Sequence, residues 1–396
     1  MKSDLKKIER AVSLVPMCNW CAGRLIVDNV RLAESVGESL NLRTVTTGCA
    51  ICSDTYTKRD DLVRKAVEKM QEFEFDMFQV GVTLPKPCVE REDELRAKLK
   101  LYKGIIIKRA LTALFKDEIQ RRVNKPVNND NWDILVLIDV NNKSIRVQPR
   151  PISLLVRYVK LERGFYTKAP SVAKCDFGGE SKAESSTKIN SVECVVREVF
   201  SKAFEANIIK LCWSGTEDID ARVFGNGRPI YVQVLDPKRR YIGFLKLGRR
   251  QGETVQFPLI EISDTKFQQF EGLKKVIFYT ILHQNPLVRE KVKLLHSIRN
   301  ISIPDDHKRK KKMLYWTDPI LVNEKELKLL CLMDNGVNPW KVLRPDKDSG
   351  EFKGILDFLQ LDSKVSVTYD IMNFYMESQG LNLQNVYYGA SKVMYE

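Results

Sequence analysis

The chain has 396 residues, 43% of them hydrophobic and 29% charged, and its 65 Lys and Arg against 51 Asp and Glu leave a net charge of +14. Such a length exceeds one small core and predicts two or three domains of ordinary globular composition. The cationic excess favours a polyanionic partner, nucleic acid ahead of an anionic membrane, because no basic amphipathic helix shows a clean apolar face.

Two CxxC knuckles, Cys18-Asn19-Trp20-Cys21 and Cys49-Ala50-Ile51-Cys52, come first. Each brings two thiolates onto a tight turn, and together they supply a tetrahedral four-cysteine site. The segment between them is too small for its own core, so structural Zn2+ is expected to stabilise it. Four filled positions leave none for catalysis, and no βαβ context supports a redox CxxC.

Apolar residues at Leu62, Val63, Ala66, Val67 and Met70 predict a helix over 58–73. Residues 75–84 read as a strand ended by Pro85 and Pro87. A helical stretch over 92–122 is broken near Gly104. Residues 133–140 and 144–148 read as strands joined by the Asn141-Asn142 turn, and 152–161 as a strand with cations in its second half. This region predicts an α+β domain with a basic face.

Residues 168–190, with Gly178-Gly179, read as a linker. A helix follows over 192–206, then strands at 229–235, 241–247 and 254–262. Residues 267–283 read as helix followed by strand, and further strands are expected at 314–316, 326–333 and 364–369. The second half is thus a sheet-dominated α+β domain. No apolar run is long enough to span a membrane, and Met1-Lys2-Ser3-Asp4 is unlike a secretory signal, so a cytoplasmic location is expected.

The densest chemistry lies in Gly215-Thr216-Glu217-Asp218-Ile219-Asp220-Ala221-Arg222, which runs on to Gly225-Asn226-Gly227-Arg228-Pro229. Carboxylates and arginines crowded between glycines suit an acid at the mouth of an anion-receiving site. A charged hairpin turning at Asn226-Gly227 is the competing reading. The chain has no Walker motif, dinucleotide loop or metalloprotease helix, and its 3 histidines show no triad pattern. A lone carboxylate acting as nucleophile or base survives. The basic block His307-Lys308-Arg309-Lys310-Lys311-Lys312 reads as a phosphate contact.

The 215–229 segment resembles the signature GREDxDxRxLGxGRP of the archaeal-type tRNA pseudouridine synthases, the Pus-ten family, departing from it at Thr216 and Phe224. Glu90-Arg91-Glu92-Asp93-x-Leu95-Arg96 is similar to the family's EREDxLR, and Arg157-Tyr158-x-Lys160-Leu161-x-Arg163-Gly164 to its RYxKLxRG. The paired knuckles also fit. The resemblance implies isomerisation of uridine to pseudouridine at positions 54 and/or 55 of the TΨC arm of tRNA, without an organic cofactor. The catalytic aspartate maps onto Asp218. Asp220 and Glu217 are its rivals, since in an extended segment Asp218 and Asp220 share a face.

Arg222 is expected to pair with Asp218 and keep it ionised. Tyr279, in a segment similar to the family's YRALV, is expected in the uridine pocket. Lys341 takes the place of the pocket lysine only after a one-residue shift, and the last hundred residues diverge. Arg157, Lys160, Arg163, Lys308, Arg309 and Lys310 are expected on the RNA-binding surface.

The expected architecture is α+β: a zinc-containing, THUMP-like accessory domain over 1–180, and a catalytic domain over 190–396 with a bent, mainly antiparallel sheet. A monomer is expected. The alternative is a non-catalytic tRNA-binding protein or RNA chaperone that retains the fold.

Overall fold

In the computed structural model, residues 2–170, 191–240, 254–263, 270, 272–303, 312–345, 352–361 and 364–375 are described. The chain divides into two compact units, one of residues 1–151 with 235–241, the other of 152–234 with 242–396.

The first unit contains helices α1 (Lys2–Leu14), α2 (Asn19–Arg24), α3 (Ala33–Ser39) and α4 (Arg59–Met70), then β1 (Phe78–Thr83), α5 (Lys86–Leu99), α6 (Ile107–Val123), β2 (Ile134–Asp139) and β3 (Ser144–Pro149). The order β1-β2-β3 pairs β1 with β2 in parallel and β2 with β3 in antiparallel. Alternate residues of β2 (Ile134, Val136, Ile138) are fully buried against α4 and α6 residues such as Val63, Leu111 and Phe115, the period-2 pattern of a strand with one core face. Residues 92–122 do form two helices, broken around Gly104 as expected.

The EREDxLR motif acts inside this core. Glu92 accepts from Arg24 Nη1 at 2.6 Å, from Arg96 Nε at 2.7 Å and from the Ile107 amide at 2.7 Å. Burial alone would raise its pKa, but these donors hold the carboxyl below its usual range. One buried carboxylate thereby ties α2, α5 and the start of α6 together.

The second unit contains β4 (Ile152–Lys160), α7 (Val192–Phe204), β5 (Ile209–Trp213), β6 (Arg222–Val234), β7 (Val255–Ile262), β8 (Lys274–His283), α8 (Arg289–Leu294), β9 (Arg299–Ile303), β10 (Lys312–Asn323), β11 (Glu326–Asp334), α9 (Pro339–Leu343), α10 (Ile355–Phe358) and β12 (Val365–Tyr375). The sheet runs β7-β4-β6-β12-β8-β11-β10-β9, with β5 also pairing β6. Its neighbours are antiparallel except β6 and β12, whose parallel register sets Asp370 beside Arg222. Ser191 caps α7 by accepting from the Cys194 amide at 3.2 Å, and Val192, Val196, Phe200 and Phe204 line the helix face packed on β4, β6 and β7.

The units divide at Pro151, well before residue 180, because β4 pairs with β6 and β7 in the second sheet. The Asn226-Gly227 pair is not a hairpin turn. It lies inside β6, where β4 passes from Tyr158↔Arg228 to Lys160↔Val223 through an irregular register. Gly227 has φ +74°, and a Cβ there would stand 2.7 Å from the Tyr158 carbonyl oxygen, so the bulge requires glycine. The expected strand at 241–247, and all but the first three residues of the expected linker at 168–190, lie outside the described residues.

Candidate active site and metal centre

The loop between β5 and β6 carries the acidic signature, and almost every carbonyl in it has a donor. Asn335 Nδ2 donates to Ser214 O, and Arg228 Nη2 donates to Thr216 O at 3.4 Å. Thr167 Oγ1 both donates to Glu217 O and accepts from its amide, each at 3.2 Å. Lys160 Nζ donates to Phe165 O (2.7 Å), Asp218 O (3.1 Å) and Ile219 O (3.2 Å), and Arg163 Nη1 donates to Asp220 O. A loop held on this many backbone atoms is pre-organised before any ligand arrives.

Side chains in the loop then alternate between inside and outside. Glu217 points inward, where its Oε2 lies 2.9 Å from Arg228 Nε, with both side chains sealed from water. Tyr158 OH donates to both Glu217 oxygens at 3.1 and 3.0 Å, and the Arg228 guanidinium lies over the Phe374 ring at 4.6 Å. Gly215, with φ +130°, lets the chain pass Arg228, whose Nη1 would stand 3.1 Å from a Cβ there.

Asp218 points the other way and is exposed. Its Oδ2 accepts from Tyr369 OH and from Trp340 Nε1, each at 2.6 Å. Tyr369 belongs to β12 and stands directly across from Tyr279 of β8. Burial, then the bond to Asp218, pushes the Tyr369 phenol well above its usual pKa, so it remains a donor.

Several expected residues have other roles. Arg222 pairs with Asp370, Nη2 to Oδ2 at 2.8 Å, because the β6–β12 register sets them side by side; it does not pair with Asp218. Arg157 and Lys160 are buried, Arg157 donating to Gly227 O at 3.0 Å and Lys160 to the loop carbonyls, so neither offers a charge to RNA. Burial lowers the pKa of both. Arg163 is committed to Asp220 O, to Tyr369 O at 3.2 Å and to Asp370 Oδ1 at 2.8 Å. The RYxKLxRG motif is therefore a cradle for the acidic loop and not an RNA-facing strip.

Tyr279 is fully buried and donates its hydroxyl to Pro339 O at 2.8 Å, leaving no ring face open to a base. Lys341 sits half-buried on α9 beside Trp340. Lys308, Arg309 and Lys310 lie outside the described residues. Sequence reasoning missed Tyr369, Trp340 and the Glu217–Arg228 pair. One signal was available: Asn338-Pro339 is an N-cap followed by an N1 proline, and it announces the short helix that presents Trp340.

In the first unit the Sγ atoms of Cys18, Cys21, Cys49 and Cys52 all lie within 4.8 Å of one another, and all four residues are buried. Cys18 and Cys52 Sγ are 3.9 Å apart. Tetrahedral thiolates around zinc stand roughly 3.8 Å from each other, given Zn–S near 2.3 Å. Asp54 braces the second knuckle, accepting from the Gly48 and Cys49 amides at 3.0 and 2.8 Å. The cluster could hold one metal ion.

Residues 154–304 match the family model for the C-terminal part of Pus10, and residues 62–139 match that for the archaeal Pus10 THUMP domain; together they cover more than half of the chain. The chain belongs to the Pus10 family. It is 29% identical to the tRNA pseudouridine synthase Pus10 of Korarchaeum cryptofilum over 230 residues, 57% of this chain and 61% of that protein. It is 22% identical to the Pyrococcus furiosus protein of the same name over 376 residues, 87% of this chain and 91% of that one. A third, from Methanopyrus kandleri, is 31% identical over 232 residues, 54% of this chain and 52% of that one. The chain thus spans about three fifths of the length of the first of these relatives.

Among solved structures, an archaeal box H/ACA Nop10–Cbf5 complex is similar at 6% identity and a TM-score of 0.28, over 56% of this chain and 47% of that one. A pseudouridylate synthase is similar at 7% identity and a TM-score of 0.24, over 59% and 70%. Likenesses this slight carry no weight for this chain. No described helix is long and apolar enough to cross a membrane.

Proposed function

We propose that the chain is a tRNA pseudouridine synthase that isomerises uridine to pseudouridine at positions 54 and/or 55 of the TΨC arm, with Asp218 as its catalytic carboxylate. The observation that carries this reading is the aim of Asp218: an exposed carboxylate on a loop whose backbone is pinned, with Oδ2 held by Tyr369 and Trp340. Asp220 lies on the same loop, but among the described residues its carboxylate has no comparable pair of donors.

The target nucleotide must leave its stack to reach such a site. Asp218 then assists cleavage of the bond between C1′ and N1, by attack on the sugar or by proton abstraction. The uracil turns, C1′ joins C5, the proton on C5 leaves, and N1 gains one. Atoms and electrons balance within the substrate, so neither oxidant nor group donor is required.

In this reading the compact unit of residues 1–151 with 235–241 is the tRNA-gripping accessory module, its four cysteines holding structural Zn2+, and the other unit carries catalysis. The protein acts as a cytoplasmic monomer. Purified protein incubated with tRNA and no cofactor should yield new pseudouridine in the TΨC arm when mapped at base resolution. Absence of product from every tRNA offered, with binding intact, would favour a tRNA-binding protein or RNA chaperone instead.

A further inference from the structure

The turn before α9 is anchored with unusual care. On β8, Lys275 and Tyr279 lie four residues apart, on the same face of the strand. Lys275 Nζ donates to Val337 O at 2.6 Å, and Tyr279 OH donates to Pro339 O at 2.8 Å. Both side chains are buried. Asn338 Oδ1 accepts from the Trp340 amide at 3.0 Å and closes the turn.

Putting a lysine side chain and a phenol into a core is costly unless their hydrogen bonds are met. Here each is spent on one carbonyl of this turn. What the turn delivers is Trp340, which remains 43% exposed while its indole N–H holds Asp218.

The aromatic groups around Asp218 differ in what they can offer a base. Tyr279 has no exposed surface and Tyr369 only 4%. Trp340 meets the Tyr369 ring edge-on, with centroids 5.5 Å apart and planes at 79°, so its own ring is not covered by stacking on Tyr369. Among the described residues it is the aromatic beside the carboxylate with an open surface. A rigidly anchored, half-exposed indole is poorly explained by core packing and well suited to π-stacking on a nucleobase.

We infer that Trp340 is the stacking platform for the base of the nucleotide delivered to Asp218, with Lys275 and Tyr279 as the positioning residues that fix it there. The inference rests on the uridine-isomerising reading for the identity of that nucleotide, but not for the stacking itself. The indole N–H orients the carboxylate while the ring receives the base, so one side chain aligns both reactants.

The test uses the full chain and a TΨC-arm stem-loop RNA, with wild type, Trp340→Phe and Trp340→Ala compared. Of the 5 tryptophans, Trp340 should account for the fluorescence quenching on RNA addition, so the quench seen in wild type should vanish in Trp340→Phe. For conversion, kcat/KM should fall by about ten- to a hundredfold in Trp340→Ala, mostly through KM, and by less in Trp340→Phe, which keeps a stacking ring but loses the N–H to Asp218. Equal losses in Phe and Ala would place the effect on the missing N–H and overturn the stacking role. A quench unchanged in Trp340→Phe would overturn it too, and does not depend on whether the Ala variant folds. Trp340-dependent quenching without any product would support the platform while sinking the catalytic reading. Normal conversion with unchanged KM in Trp340→Ala would do the reverse.

Discussion

The Glu217 carboxylate lies 2.9 Å from Arg228 Nε, with both side chains cut off from water, one residue before the exposed Asp218. Neither charge faces a substrate. Their effect is positional: Glu217 is drawn inward by Arg228 and Tyr158, so the next side chain along must point outward. Arg228 also reaches Thr216 O and Asn335 Oδ1, which binds the loop to the end of β11. The inward pair thereby sets the aim of the outward acid.

Breaking that pair on one side should be severe. Glu217→Gln leaves Arg228 buried without a counter-charge, and removal of one partner from a buried pair costs about 3–5 kcal/mol. Denaturant melts of the variant should show a loss of that order. A melt indistinguishable from wild type would mean that water reaches Arg228 and that the pair does not hold the loop.

Asp218→Asn should abolish pseudouridine formation while tRNA binding and melting temperature stay close to wild type, since the side chain is exposed and retains an acceptor for Tyr369 and Trp340. Asp220→Asn should leave conversion within about threefold, because loss of a group that does not touch the transition state changes its stabilisation by under about 1 kcal/mol. Conversion assays on the two variants decide between them. Full activity in Asp218→Asn with loss in Asp220→Asn would move the catalytic role two positions along.

Much of this arrangement was legible in the sequence. The cysteine spacing announced the four-thiol cluster, because ligand geometry is local to two short turns. The break near Gly104 and most strands followed from periodicity and turn residues. What periodicity could not supply was the partner of each charge. Arg222 and Asp370 are far apart in sequence and meet only through the parallel β6–β12 register. Lys160 reads as a surface cation in an alternating strand, yet it is buried because a bulge in β4–β6 turns it onto loop carbonyls. Trp340 sits in the divergent segment, where motif comparison reaches only Lys341, after a one-residue shift, and the capping signal alone announces the helix that presents Trp340.

The cysteine cluster should carry one zinc per chain, measured by elemental analysis of purified protein. Stripping it with a strong chelator, or replacing Cys21 with Ser, should destabilise the segment around α2 and α3, seen as lost helical circular dichroism and faster proteolysis there. The helices are short, and their core includes the thiols themselves. Binding free energy in such small metal-organised segments is folding free energy. A metal-free protein with unchanged protection would show that Trp20, Tyr56 and their neighbours suffice without the ion.

Lys275 offers a pH-dependent test. Burial, reinforced by the nearby Arg228 charge and opposed by Asp218 and Glu217, pushes its ammonium down from 10.5 to about 7. Above pH 10.5 the amine is neutral in folded and unfolded chains alike, so it contributes no difference. As pH falls below that value the unfolded chain takes up the proton and the folded one does not, and stability is lost until about pH 7, where the folded protein protonates as well. Each pKa unit of displacement corresponds to about 1.4 kcal/mol, so the loss across this window reaches several kcal/mol. Lys275→Met removes the proton but also the anchor on Val337. Its stability relative to wild type should therefore rise steadily as pH drops from 10.5 to 7 and stay level below. Urea melts at a series of pH values read this directly. A difference that stays constant across the window would mean that Lys275 keeps its charge in the folded protein, and that the turn presenting Trp340 is held by a buried ammonium and not by a neutral amine.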